Sequence, residues 1–260
     1  MTNGDHRITP AKTIGEQLFE DYLSGRGMGW AYEEDRSAGE TRPDYRLETQ
    51  PGVLVEVKDF AETDADRSFR ESKGLRGVES YGRIRDKIDK AKKKFKDHRG
   101  RGLACVLVLH NSGAALVHLR SEIVAGAMHG DMGFTIQVGG VEIKPEPHFD
   151  KASARLRENV NTTISAVAIV ERFQPNADLL QSEIQKRIGP PEVELTEDTI
   201  RRVLDAMEAA RADRPEIDFD QVVCRVRVVH NPHARIPLDT TIFNGPYDEQ
   251  VQANLLRLGG

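Results

Sequence analysis

The stretch PDYRLETQPGVLVEVK, residues 43–58, decides how the chain folds. Two short runs flank a turn signal at Thr49–Gly52 and read as a β-hairpin. Alternation along Val53–Lys58 places Leu54, Glu56 and Lys58 on one face and Val53, Val55 and Val57 on the other. The valine face is expected to pack inward, leaving a carboxylate and an ammonium side by side opposite it. If the loop is Thr49 to Pro51, Glu48 pairs with Gly52 and Asp44 lies directly across from Glu56; a two-residue loop would shift this by one. Directly opposed residues have Cβ atoms about 4.5–5.5 Å apart. Two carboxylates that close repel unless something neutralises them. Mg²⁺, which prefers carboxylate oxygens and water, would do so, with Mn²⁺ as a substitute. Lys58 could then position an attacking water or stabilise charge developing on a phosphate.

Ahead of the hairpin, Ile14, Leu18, Phe19, Tyr22 and Leu23 recur at helical spacing and predict a helix over Thr13–Ser24, ended by the glycines at 25, 27 and 29. A short strand at Trp30–Glu34 and a polar loop at Asp35–Arg42 follow. Beyond the hairpin, Asp59–Val78 is polar and reads as a mobile loop. Glu79–Lys96 is a helix with Tyr81, Ile84, Ile88, Ala91 and Phe95 as its buried stripe, and Leu103–Leu109 is a fully buried strand. The order is α-β-β-β-α-β. Further on, strands are expected at Ala115–His118, Phe134–Val138, Val141–Lys144, Ser165–Val170 and Val222–Val229. Helices are expected at Ser121–Ala127, Asp178–Arg187, Glu197–Ala212 and Tyr247–Leu258. The chain thus reads as an α/β protein with a core over residues 1–111. Residues 112–260 are an extension of the same domain, with a helical insertion near 196–214.

This order, with Pro43-Asp44 and Glu56-Val57-Lys58 on the second and third strands, resembles the PD-(D/E)XK, restriction-endonuclease-like nucleases over roughly Ile14–Asn111. The resemblance implies a mixed sheet flanked by helices and Mg²⁺-dependent hydrolysis of DNA phosphodiesters. Asp44, Glu56 and Lys58 would be catalytic, and Asp44 and Glu56 would hold the metal. It also implies a bacterial restriction or phage-defence role. Alternatives within the same fold are a catalytically silent nucleic-acid-binding module and an RNA nuclease. Many members add a glutamate from the first helix, for which Glu16 and Glu20 are candidates. On a helical wheel Glu16 lies nearer the centre of the apolar stripe by about 40° and is preferred. Two other Glu-x-Lys tripeptides, at Glu71–Lys73 and Glu142–Lys144, lack the paired Pro-Asp and the basic helix that accompany Glu56.

The net charge of −5 hides a strong asymmetry. Arg67–Arg101 holds fourteen Lys/Arg against five Asp/Glu, whereas Arg187–Asp220 holds ten acids against five basic residues. One basic segment in an acidic chain is a localised nucleic-acid footprint. Arg83, Lys87, Lys90, Lys93, Lys94 and Arg101 can line a phosphate backbone without reading bases. Aromatic content of 6% offers no stacking ladder for single strands, so duplex DNA is favoured over RNA. Cutting both strands with one site per chain calls for a homodimer. No apolar run approaches the roughly 20 residues of a membrane helix, and the first residues lack the apolar core of a secretory signal. A cytoplasmic location is expected. Cys105 and Cys224 read as buried small hydrophobes, and His230 and His233 flank Pro232, which forbids a helical ligand pair. No Walker A loop or Rossmann glycine pattern occurs.

Overall fold

The structure is a computed structural model describing residues 11–32, 42–72, 80–98, 101–113, 115–136, 145–150, 153–189 and 196–252. The elements run α1 (Ile14–Gly25), β1 (Trp30–Tyr32), β2 (Tyr45–Leu47), β3 (Val53–Asp59), α2 (Asp64–Ser72), α3 (Ser80–Phe95) and β4 (Ala104–His110). They continue α4 (Ser121–His129), β5 (Asp131–Ile136), β6 (Pro145–Asp150), β7 (Ala166–Phe173), α5 (Ala177–Ile188), α6 (Glu197–Asp213), β8 (Val223–His230) and β9 (Glu249–Gln252). Seven strands form one mixed α/β sheet in the order β1-β2-β3-β4-β7-β8-β9. β1, β2 and β3 are antiparallel; β3 to β4, β4 to β7 and β8 to β9 are parallel. β5 and β6 form a separate antiparallel pair. Among the described residues no helix is long and apolar enough to cross a membrane.

The hairpin has the wider-loop register: Tyr45 pairs with Val55, Arg46 with Leu54 and Leu47 with Val53. Both faces of β3 are buried, however, and not the valine face alone. Val53, Val55 and Val57 lie under α1, while Leu54 joins a core with Ile84, Ile88, Ala91 and Phe95 of α3 and Leu107 of β4. A strand with a parallel neighbour is covered by helices on both sides, and its apolar run is accordingly continuous. Each of these large side chains contributes about 1.5–3 kcal/mol by leaving water.

Local signals explain where the helices begin and end. Thr13 caps α1: its hydroxyl accepts from the Glu16 amide at 3.2 Å, and the Glu16 carboxylate accepts from the Thr13 amide at 2.7 Å. Gly27, at φ +62°, turns the chain out of the helix where a side chain would be strained. Gly15 lies so close to the sheet that a Cβ would meet the Asp59 carboxylate at 2.7 Å. Its amide donates to Asp59 Oδ1 at 3.0 Å, which anchors the helix start. At the far end of α1, Tyr22 donates to Asp248 Oδ2 at 2.6 Å, and Asp248 also accepts from the amides of Val226 and Gly245. Phe19, Tyr22, Tyr45 and Phe243 form an aromatic cluster on this side.

Other expectations also differ from the structure. The Asp59–Val78 segment contains α2, capped by a reciprocal pair: Thr63 N and Oγ1 donate to Asp66, and the Asp66 amide donates to Thr63 Oγ1. Ala115–His118 is not a strand, because the Asn111 side chain occupies the carbonyls of Ala115 and Val117 at 2.9 and 2.8 Å. The strand expected at Phe134–Val138 begins earlier, as β5, and pairs with β6, where no strand was expected; residues 137–144, which hold the strand expected at Val141–Lys144 and Glu142, lie outside the described residues, as does Lys73. Within the segment read as a final helix, Glu249–Gln252 form β9, paired in parallel with β8; residues 253–258 lie outside the described residues.

The chain divides into two compact units, Met1–Glu171 with Val226–Gly260, and Arg172–Arg225. The second unit is larger than the 196–214 insertion expected and includes α5 as well as α6. There Arg187 of α5 pairs with Asp213 of α6 at 2.5 Å, and the Asn176 amide group donates to the Asp218 carbonyl at 2.8 Å.

Candidate active site

The register of the hairpin brings Asp44, at the start of β2, across from Glu56 in β3. Glu56 is fully buried and Asp44 is 6% exposed. Removing two carboxylates from water is costly unless cations meet them, and two lysines do so. Lys94, from the last turn of α3, places its Nζ 3.0 Å from Asp44 Oδ1 and 2.6 Å from Glu56 Oε1. Lys58, two residues along β3, contacts Glu56 Oε1 from the other side. Asp44 Oδ2 accepts from the Val57 amide at 2.9 Å, which fixes the carboxylate against the neighbouring strand.

One atom of this group is left over. Both Glu56 oxygens are buried; Oε1 is met by the two ammonium groups, and Oε2 has no hydrogen-bond donor among the described residues. Burial and then the charge of Asp44 push the Glu56 carboxyl above its ordinary range, against the pull of Lys58 and Lys94. Burial disfavours the charged Lys94, but Glu56 and Asp44 hold its ammonium above the usual lysine value. Two acids and two bases therefore balance in a site where only the lysine side chains, at about a quarter exposed, reach solvent.

The remaining expected residues fall in different places. Glu16 closes the capping box of α1 and is not directed into this group. Glu20 is the buried glutamate of α1, with its Oε1 accepting from the Tyr45 hydroxyl at 2.9 Å and Oε2 from Lys12 at 2.8 Å. Tyr45 pairs with Val55, so Glu20 lies on the face opposite Glu56. Thr13-x-x-Glu16 is a capping signature that commits Glu16 to the helix end, which position on a helical wheel does not register.

The basic helix splits into two kinds of cation. Lys90 and Lys93 are exposed, as is Arg101 beyond the helix. Arg83 instead grips both oxygens of Asp66 at 2.9 and 3.0 Å, and Lys87 donates to the Asp59 carbonyl at 2.7 Å. Lys87 is pulled below its ordinary value by burial, then by repulsion from Lys90 and Lys58, which places three ammonium groups near one another. Lys94, expected on the phosphate backbone, is turned inward to the carboxylates.

Among the described residues, no three His, Cys, Asp or Glu side chains converge as a metal-holding group. Two carboxylates do converge, on the Lys94 ammonium. A hard divalent ion such as Mg²⁺ uses one or two carboxylates and completes its shell with water and substrate phosphates. Asp44, Glu56 and the spare Oε2 fit that requirement. A cavity of about 160 Å³, lined by His98, Cys105, Asn161, Thr163 and Arg235 among others, contains none of these residues. Compared with known proteins, the chain matches no family model, no curated protein and no solved structure.

Proposed function

We propose that the protein is a Mg²⁺-dependent endonuclease acting on DNA, with a restriction-endonuclease-like core of the PD-(D/E)XK type. The observation that carries this reading is the convergence of Asp44 and Glu56 on one cation, with Lys58 beside them and one buried carboxylate oxygen unmatched. A purely structural ion pair gains nothing from a fully buried oxygen that lacks a donor. The antiparallel β1-β2-β3 unit followed by parallel β4 agrees with such a core.

In this reading Asp44 and Glu56 hold Mg²⁺, which when bound lowers the pKa of a water and offsets charge at the phosphate. Lys58 orients the attacking water or meets the developing negative charge. Lys90, Lys93 and Arg101 hold the duplex backbone by charge, without reading sequence. A homodimer would supply a second site for the second strand.

One observation favours a second reading. The Lys94 ammonium fills the space between the carboxylates, as it would in a silent nucleic-acid-binding module of the same fold. Incubation with plasmid, linear duplex and RNA in Mg²⁺, Mn²⁺ or EDTA separates the readings. Cleavage of DNA with either ion and none in EDTA supports the nuclease. Binding without cleavage under every condition supports the silent module, and cleavage of RNA alone changes the substrate.

A further inference from the structure

We propose that Lys94 is a displaceable internal cation: it occupies the metal position in the free protein and is drawn out by a substrate phosphate, so that nucleic-acid binding loads the metal. This rests on the reading of Asp44 and Glu56 as metal ligands.

The geometry supplies both halves of the exchange. A single Nζ lies within 3.0 Å of one oxygen from each carboxylate, so it stands where an ion bridging them would stand. A small divalent ion and an ammonium cannot share that point, and any ion that enters must first break two charge-assisted contacts. Lys94 is also able to leave. It sits on the last turn of α3 with its side chain about a quarter exposed, on a flexible four-carbon stem. Lys90 lies one turn earlier on the same helical face and is exposed. A phosphate caught by Lys90 therefore arrives beside Lys94 and offers its ammonium a new partner. Lys58 differs, because it projects from β3 itself and its ammonium contacts Glu56 rather than bridging the two carboxylates.

Two consequences follow that a merely structural lysine would not produce. The free protein binds divalent ions weakly, and neutralising Lys94 tightens that binding. Breaking a buried pair to admit the ion implies a penalty of more than about tenfold in affinity. Mn²⁺ is titrated into the wild-type protein, Lys94→Gln and Lys94→Met without nucleic acid, and the free ion is read by electron paramagnetic resonance. Both variants are expected to bind Mn²⁺ at least about tenfold more tightly than wild type. Lys94→Gln combined with Asp44→Asn is expected to lose the gain, and Lys96→Gln, at an exposed lysine beyond α3, to leave wild-type affinity unchanged. Lys94→Met strips the carboxylates of their shared donor and is expected to melt earlier; Lys94→Gln retains an amide donor and carries the test if the Met variant fails to fold. Equal Mn²⁺ affinity in wild type and Lys94→Gln, with binding still removed by Asp44→Asn, overturns the exchange but leaves the metal site standing. Mn²⁺ binding insensitive to Asp44→Asn in every protein removes the site itself, and the exchange with it.

Discussion

Glu20 and Glu56 lie on opposite faces of the same antiparallel strands, and their surroundings differ in kind. Glu20 has both oxygens occupied, one by the Tyr45 hydroxyl and one by Lys12, beside an aromatic cluster that includes Phe19 and Phe243. Glu56 is buried more completely, yet one oxygen has no donor among the described residues and a second carboxylate stands against it. The Glu20 carboxylate is saturated by its neighbours. We read the Glu56 carboxylate, left short with a like charge across from it, as poised for a cation supplied from outside the chain.

Activity is the largest effect by which this contrast can be broken. Asp44→Ala, Glu56→Ala and Lys58→Ala are each expected to lower plasmid cleavage by on the order of 10³ or more, to the level seen in EDTA, while duplex binding persists. Glu20→Gln is expected to cleave normally. Full cleavage by Asp44→Ala would make the α3 face as structural as the α1 face.

Stability should show the reverse pattern. Glu20→Ala leaves the buried Tyr45 hydroxyl without its acceptor, which costs roughly 1–3 kcal/mol. Denaturant unfolding of Glu20→Ala and Tyr45→Phe measures this, and the larger loss is expected in Glu20→Ala, because Lys12 still meets the Glu20 carboxylate in Tyr45→Phe. If Tyr45→Phe costs as much as Glu20→Ala, the hydroxyl supplies more than a partner for Glu20.

The same distinction between committed and spare groups applies to the cations of α3. Replacing Lys90 and Lys93 with alanine is expected to reduce the log–log salt slope of DNA binding by up to about 2 units, at roughly 0.9 per phosphate contact. Arg83→Ala should leave the slope unchanged and destabilise the fold, because its guanidinium is committed to Asp66 and the Ala61 carbonyl. A slope change in Arg83→Ala equal to that of the lysines would erase the distinction.

The smallest effect is on acid stability. Burial works against the Asp66 charge, but the Thr63 amide and hydroxyl, Arg83 and the Leu116 amide together hold its carboxyl down to about 2, from 3.8. A depressed carboxyl stabilises the fold above its unfolded value and ceases to do so as pH falls through its folded value. Melting temperature should therefore drop between pH 4 and pH 2, and Asp66→Asn should flatten that part of the curve. An unaltered curve would mean that other carboxylates dominate acid unfolding.

What the residues disclosed in advance depended on how local the information was. The register that opposes Asp44 to Glu56 follows from loop length and alternation. The helices at α1 and α3 follow from apolar spacing over three or four turns. The α2 helix was hidden because its periodicity is weak and its start rests on a Thr63–Asp66 cap, a four-residue signal inside a polar run. Lys94 was misplaced for a different reason. Six basic residues between Lys87 and Lys96 look alike in composition, and only tertiary packing selects the one whose stem points at the carboxylates. β9 lies inside the segment read as a final helix because four residues at the end of a sheet carry too short a pattern to be recognised as a strand.

The bond from Tyr22 to Asp248 spans 226 positions, whereas the ion pair of Asp44 with Lys94 spans 50. Contacts with long separations close late, since the intervening chain must first be made and ordered. During synthesis the charged quartet can assemble once α3 is complete. The aromatic side of the sheet, with Phe19, Tyr22 and Tyr45, stays without Phe243 until nearly the whole described chain has emerged. A ribosome-stalled chain ending before Phe243 would thus carry a formed acidic pair over an open, adhesive underside. Such a chain should recruit chaperones more strongly than one ending after Asp248.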